Sequence, residues 1–341
     1  MMHSPDGALV PDDRLPYFKL PEWVADPFPG NASESDDDDG PLHGRYVVEE
    51  AVAFTNTGGV YRARDEVTGL KVAIKEARPH TLIWGPKKAA LDATAALMNE
   101  YAALRCLQGL SCVPQLVEFY EEWEHSFLVQ TWFDGVPLAS FRALEDTAVL
   151  GKMHDAEAVF RFCIMWRELC LRVLSAVNVI HQRGVIIGDI SPGNVLINGD
   201  SLEIAFIDFE GALISNADEA IVRLGTQWAN PGFRKAESRN AGALSHLDDW
   251  YSCGMLLYNL VCPIQALFEL DPTQPMFRIL DHFVHAGLPN EIRLVIRCLL
   301  EGHPNEARQE AENWHLNESA QAEIAKRISE ENQNFVCGSE V

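Results

Sequence analysis

Apolar and polar positions alternate in short runs from Arg45 onward, at Tyr46–Phe54, Val60–Arg64 and Val72–Glu76. Turn signals at Gly58-Gly59 and Thr68-Gly69 separate these runs. Strict alternation punctuated by glycine predicts antiparallel hairpins. A helix is predicted around Lys87–Leu107, where Ala90, Leu97, Tyr101, Leu104 and Leu107 recur at helical spacing. Two further strand-like runs follow, Val113–Phe119 and Ser126–Trp132, and the turn Asp134-Gly135-Val136-Pro137 closes this β-rich part. Beyond it the period becomes helical: a long buried helix over Ala156–Arg183, short strands at Val195–Ile197 and Ile204–Ile207, and helices at Trp250–Val261 and about Phe277–Leu300. Ala320, Ile324 and Ile328, four apart among acids, predict an amphipathic helix near the C-terminus.

This pattern divides the chain into residues 1–43, an acidic and proline-rich tail or linker, 44–133, a β-rich lobe, 134–304, a helical lobe, and 305–341, an acidic helix or tail. The first segment contains Asp36-Asp37-Asp38-Asp39, but also Tyr17, Phe18, Leu20, Trp23 and Phe28, which are apolar enough to dock on a body or a partner. With 47% hydrophobic residues the chain can bury a sizeable core. Its 50 acidic side chains against 27 basic ones give a formal net charge of −23, which repels nucleic-acid phosphates and anionic lipid and argues against both as partners. The eight cysteines are scattered without CxxC or Cys/His ligand spacing, so a reduced, cytoplasmic protein without a zinc site is expected. No basic region followed by an apolar stretch opens the chain, and no apolar run reaches the length of a membrane span.

Four pieces in one order carry chemistry. Phosphoryl transfer asks a protein mainly to position phosphates, hold metal ions and orient the attacking hydroxyl. Val72-Ala73-Ile74-Lys75 follows Gly58-Gly59-Val60-Tyr61 by one hairpin and puts a lysine on a strand, where it can neutralise phosphates. Glu100, in helical register with Leu104 and Leu107, is the acid best placed to hold it. Gly188-Asp189-Ile190-Ser191-Pro192-Gly193-Asn194 offers a carboxylate and an amide five residues apart on one loop. Ile207-Asp208-Phe209 ends a strand on a carboxylate, and Asp249-Trp250-Tyr251-Ser252-Cys253-Gly254 opens an apolar helix. Singly, these are a surface lysine, an Asx-turn or an N-cap; in this order they form a set.

The set resembles the eukaryotic-type protein kinase superfamily over roughly residues 44–300. The resemblance implies an α+β, bilobal protein-kinase-like fold, with an antiparallel β N-lobe carrying one helix and a mainly helical C-lobe. It implies ATP with Mg²⁺ as cofactors. Lys75 would contact the phosphates and Glu100 would pair with it; Asp189 would orient the hydroxyl; Asn194 and Asp208 would hold the metals. Gly58, Gly59, Val60 and Ala73 would line the nucleotide with Lys75, Gln130 would be the gatekeeper, and Thr131, Trp132 and Phe133 would form the hinge. The sequence departs from the family's pattern at several points. Thr55 stands where the second glycine of the loop belongs, Ile187-Gly188 replace His-Arg, and Ser191 replaces a lysine. Glu210 replaces the glycine after Asp-Phe, and Asn230-Pro231-Gly232 replace Ala-Pro-Glu.

A narrower resemblance uses these departures. Lys75–His80, Gly188–Asn194, Ile207–Ala212 and Leu20–Phe28 are similar to the kinase domain of class III lanthipeptide synthetases. That resemblance implies phosphorylation of Ser and Thr on a ribosomal precursor peptide with a leader, followed by phosphate elimination and thioether cyclisation. It also implies separate lyase and cyclase partners, since the chain has room for the kinase alone. The chain is either a stand-alone subunit or an excised domain, and Met1-Met2 with the Asp run favours the former. Three other readings stay open: a small-molecule phosphotransferase of aminoglycoside-kinase type, a bacterial signalling Ser/Thr kinase, and a pseudokinase scaffold.

Overall fold

A computed structural model describes residues 2–10, 20–21, 23–25, 40–81, 91–144, 153–214, 230, 232–235, 244–262 and 273–338. They separate into two compact units: Met1–Met98 with Leu116–Trp132, and Asn99–Gln115 with Phe133–Val341.

The first unit opens with a small hairpin, β1 (Met2–His3) against β2 (Leu9–Val10). Its body is a five-stranded antiparallel sheet of β3 (Tyr46–Phe54), β4 (Gly59–Asp65), β5 (Lys71–Ala77), β6 (Leu116–Glu122) and β7 (His125–Thr131), in the order β3-β4-β5-β7-β6. Tyr46, Ala63, Val72, Ile74, Tyr120, Phe127 and Val129 pack together as its core. At the sheet's end the Arg45 guanidinium forks onto Asp65, with Nε–Oδ1 and Nη2–Oδ2 both at 2.8 Å, and reaches Glu118 at 3.1 Å. Asp65 also accepts from Val67 N and Thr68 Oγ1, which fixes the β4–β5 turn.

Helix α1 (Ala93–Leu107) starts later than the spacing suggested. Asp92 accepts the Ala95 N–H at 3.1 Å and so serves as the cap, leaving Leu91 and Asp92 outside the helix. Residues 87–90 of the expected helix lie outside the described residues. The expected strand at Val113–Phe119 is also shifted: β6 begins at Leu116. Gln115 spends its side chain on Leu110 O, Val113 O and Gly109 N, so residues 109–115 are a closed turn.

In the second unit β8 (Val136–Pro137), β10 (Val195–Ile197) and β11 (Ile204–Phe206) form one small sheet, and β9 (Val185–Ile186) pairs with β12 (Leu213–Ile214). The helices are α2 (Leu138–Leu144), α3 (Ala156–Gln182), α4 (His246–Val261), α5 (Thr273–His285), α6 (Asn290–Glu301), α7 (Pro304–Asn313) and α8 (Glu318–Gly338). Helix α3 is capped by Asp155, whose Oδ1 accepts from Glu157 N and Ala158 N. Its central Trp166 is fully buried and donates Nε1–H to the Leu257 carbonyl of α4 at 3.0 Å.

Helix α4 begins four residues before the expected Trp250, because Ser245 and Asp248 form a reciprocal capping box. The apolar stretch read as one helix from Phe277 to Leu300 is two. It breaks at Gly287, whose φ of +110° no L side chain adopts readily, and α6 restarts behind Pro289. Ile328 of α8 fills the space at Gly287: a Cβ there would lie 2.6 Å from Ile328 Cγ1. Ile324 and Ile328 are accordingly buried. The α+β class and the bilobal kinase-like architecture agree with expectation. Of the aromatic residues near the N-terminus, Tyr17, Phe18 and Phe28 lie outside the described residues, and Trp23 is exposed. Among the described residues no helix is long and apolar enough to cross a membrane.

Candidate active site

The sequence-derived residues fall in both units. In the first, Lys75 sits on β5, half-buried, with Val60 and Leu128 as its cross-strand neighbours. Ala73 pairs with Arg62 on one side and Gln130 on the other, and Gln130 is buried. Thr131 ends β7 opposite Val72, and Trp132 continues with its N–H on the Lys71 carbonyl at 3.2 Å and Arg62 over its ring. The glycines have a packing reason of their own. A Cβ on Gly58 would sit 1.8 Å from the Glu76 carbonyl oxygen, and one on Gly59 2.7 Å from the Tyr61 hydroxyl. Close approach of the β3–β4 turn to β5 therefore requires Gly58, whatever else binds there.

In the second unit the loop after β9 carries Asp189 and Asn194, which face each other. Asn194 Nδ2 donates to Asp189 Oδ2 at 3.0 Å and to the Asp189 carbonyl at 3.1 Å. The Asn194 carbonyl accepts the Ile207 N–H at 3.0 Å, so the next strand's exit is pinned to this loop. One residue on, Asp208 takes a left-handed φ of +68°, uncommon for a residue with a side chain. Phe209 behind it is fully buried. The loop rests on α4: Asp249 accepts the N–H groups of Ile187 (2.8 Å) and Gly188 (2.9 Å) and contacts His181 Nε2 at 2.8 Å. Asp249 is thus inside its helix and ties that helix to the loop, rather than capping it. Gly188 has φ +82°, and a Cβ there would meet the Gly211 carbonyl at 3.0 Å, so an arginine at this position would not fit the loop as built.

Glu100 is fully buried on α1, and its carboxylate lies within 4.8 Å of those of Asp208 and Glu210. Three carboxylates this close repel unless protons, cations or positive side chains offset them. Oxygen donors of this kind suit Mg²⁺, and Asn194 adds an amide: with Nδ2 committed to Asp189, Oδ1 is its remaining polar atom. The oxygen donors around Asp208, one of the two expected metal residues, therefore fit a hard divalent cation. The Asp189 carboxyl is held above its ordinary value by burial and then by the charge of Asp208, while hydrogen bonds from Asn230 and the charge of Arg234 oppose this. Phe133, expected at the hinge, lines an open cavity of about 480 Å³ with Leu110, Cys112, Ala176, Val179 and Ile204.

Several residues at this site carry no motif. Asn99 donates Nδ2 to the carbonyls of Glu210 (3.0 Å) and Ala212 (2.8 Å), which staples α1 to the segment after Asp208. Asn230 and Arg234 reach the Gly188–Asn194 loop from 41 and 46 residues away, and His181 meets Asp249 across 68. The only signal for Asn99 was its place beside Glu100, and for Asn230 its place in the Asn230-Pro231-Gly232 departure; for Arg234 and His181 the sequence offers none.

The family profile described as protein kinase domain matches residues 46–336, and one described as the RamC N-terminal domain matches residues 1–56. Among curated proteins, a probable SapB synthase of Streptomyces coelicolor is 36% identical over 271 residues, 79% of this chain and 27% of that protein. The DNA damage-responsive serine/threonine-protein kinase RqkA of Deinococcus radiodurans is 26% identical over 65% of this chain and 30% of its own length. Serine/threonine-protein kinase C of Synechocystis is 26% identical over 63% of this chain and 38% of its own length. The chain spans between 27% and 38% of these relatives.

Proposed function

Because the chain belongs to the protein kinase family, we propose that it moves the γ-phosphoryl group of ATP onto Ser and Thr hydroxyls of a ribosomally made precursor peptide. The observation that carries this reading is the loop Gly188–Asn194. It holds a half-buried carboxylate and an amide against each other, beside a left-handed Asp208, on a helix that anchors it through Asp249. The 36% identity to a probable SapB synthase supports a biosynthetic peptide as acceptor over a signalling protein, and the resemblance of Gly188–Asn194 and Ile207–Ala212 to lanthipeptide-synthetase kinases points the same way.

In this reading Asp189 accepts the hydrogen bond of the acceptor hydroxyl and turns its oxygen toward phosphorus. The new O–P bond forms as the bond from the γ-phosphorus to the β–γ bridging oxygen breaks, ADP leaves, and the proton passes to the Asp189 carboxylate. Asn194 and Asp208, with Glu210 near, would hold Mg²⁺, which supplies positive charge to the phosphate oxygens. Lys75 would steady the α/β-phosphates, and Gly58–Val60, Ala73, Gln130, Thr131 and Trp132 would line the nucleotide. The phosphate made here is a leaving group that a separate lyase eliminates before a cyclase adds thiols. No second constellation beyond these residues is needed for transfer itself.

The test is incubation of the purified chain with labelled ATP, Mg²⁺ and a candidate leader-bearing precursor peptide, read by mass spectrometry. Additions of phosphate without loss of water are expected. Dehydrated or thioether-linked product from this chain alone would overturn the division of labour. Phosphorylation of an aminoglycoside-type hydroxyl in place of the peptide would move the chain to small-molecule chemistry.

A further inference from the structure

The catalytic loop contains no cation of its own. Residues 187–194 read Ile-Gly-Asp-Ile-Ser-Pro-Gly-Asn, and Ser191 is buried with its carbonyl bonded to the Asn194 N–H at 3.0 Å. What reaches Asp189 instead comes from a short stretch ahead of α4. Asn230 donates Nδ2 to Asp189 Oδ1 at 3.1 Å and to Oδ2 at 3.4 Å, and its backbone N–H to Oδ1 at 3.4 Å. Four residues on, the guanidinium of Arg234, itself buried, donates Nη2–H to the carbonyl of Gly188, in the peptide that leads into Asp189.

This stretch and the loop share one base. Ser252 of α4 donates its hydroxyl to the Phe233 carbonyl at 2.6 Å, while Asp249, one turn earlier on the same helix, holds Ile187 and Gly188. Lys235 lies over the Tyr251 ring, 5.3 Å from its centre. Both arms that grip Asp189 are therefore fixed to α4.

We propose that Asn230 and Arg234 are positioning residues for phosphoryl transfer: Asn230 fixes the Oδ1 edge of Asp189, and Arg234 fixes its peptide and places a buried positive charge beside it. The physical need is clear from the side chain. The terminal torsion of an aspartate is soft, so a carboxylate held from one side can swing. Asn194 holds Oδ2 at 3.0 Å and Asn230 holds Oδ1 at 3.1 Å, so both oxygens of the carboxylate are tied. A misplacement of about 1 Å in such a group costs on the order of 10²-fold in rate. The proposal rests on Asp189 being the group that orients the acceptor.

The test compares Asn230→Ala, the isosteric Asn230→Asp and Arg234→Lys in the whole chain. Asn230 is exposed, so its replacement spares the fold, which the melting temperature checks. Expected for Asn230→Ala is a roughly 10- to 100-fold lower kcat toward a Ser/Thr peptide, with Mg·ATP affinity within about twofold of wild type. Asn230→Asp keeps the shape, removes the donor and should lose at least as much; Arg234→Lys should retain part of the rate. Hydrogen exchange supplies a reading independent of turnover: residues 186–194 should exchange faster in Asn230→Ala, and residues 230–235 faster in Asp189→Ala. Wild-type kcat in Asn230→Asp, or exchange that changes in neither segment, overturns the proposal. Absence of any peptide phosphorylation by the wild type would sink the acceptor reading above, and the exchange experiment would still decide this one.

Discussion

Asp189 and Asp208 repel each other within one unit, and their surroundings divide the work between them. Asp189 is gripped by two asparagine amides, whereas Asp208 stands in a left-handed conformation beside two more carboxylates. Asp189→Asn should lower turnover by roughly 10²-fold or more and leave Mg·ATP binding nearly intact. Asp208→Asn should lower both, which calorimetric titration with Mg·ATP separates from the rate assay. A second pair of residues governs stability. The Arg45 fork holds the buried Asp65 carboxyl well below the usual carboxylate range. A carboxyl whose folded value is depressed contributes fully above its ordinary value near pH 4, and that contribution disappears as the pH falls through the folded value. Arg45→Met should therefore cost about 2–3 kcal/mol at pH 7, less than a wholly buried pair because the guanidinium keeps some water. Urea titrations below pH 4 should show a shallower acid slope in the variant. The pairing of Asp189 with Asn194 was legible because both sit at a fixed offset inside one short motif. Asn230 and Arg234 were not, since their contacts join positions more than 40 residues apart through a fold the local pattern does not encode.

Helix α4 is the element that anchors the Gly188–Asn194 loop and the Phe233 segment. Its capping box fixes where it starts, and that start places Asp249 one turn inside, aimed at two backbone N–H groups of the loop. Asp249→Ala would leave both donors buried and unsatisfied. A loss of about 3 kcal/mol or more is expected, with loss of activity, and denaturant unfolding should register it. Strands β3, β4, β5, β7, β10 and β11 and the long α3 were legible from period alone, down to a residue or two at their ends, whereas β6 lies three residues beyond its expected place. Capping chemistry was harder to see: Asp92 and Ser245 moved the starts of two helices by several positions. The break at Gly287 was hidden because Leu288, Ile292 and Val295 continue the apolar spacing of α5 across it, and only Ile328, from a distant helix, makes a glycine necessary there.

At the scale of the molecule, a chain with a formal charge of −23 braces the Gly188–Asn194 loop with the buried Arg234 and with Asp249. Gly188 offers no cation to read a phosphate, and the two hydroxyls suited to carry one, Ser215 and Thr226, lie outside the described residues. We expect phosphatase-treated protein to keep its peptide phosphorylation rate; a large loss restored by autophosphorylation would show otherwise. The division into two units falls between Trp132 and Phe133, beside the change of period at Asp134-Gly135, so the gross architecture was readable where the hydrophobic pattern changes. The assignment of Asn99–Gln115 to the helical unit was not, because it depends on the Asn99 staple and on the Phe206 N–H reaching the Cys112 carbonyl. That staple bears on pharmacology. Inhibitors that enter only when the Asp208-Phe209 loop turns over must break both bonds from Asn99, at roughly 1 kcal/mol each, and must move Glu210 where other kinases move a glycine. Such compounds should select against this enzyme, and Asn99→Ala should recover part of their binding in a displacement assay, giving a chemical handle that spares it while silencing kinases with the glycine.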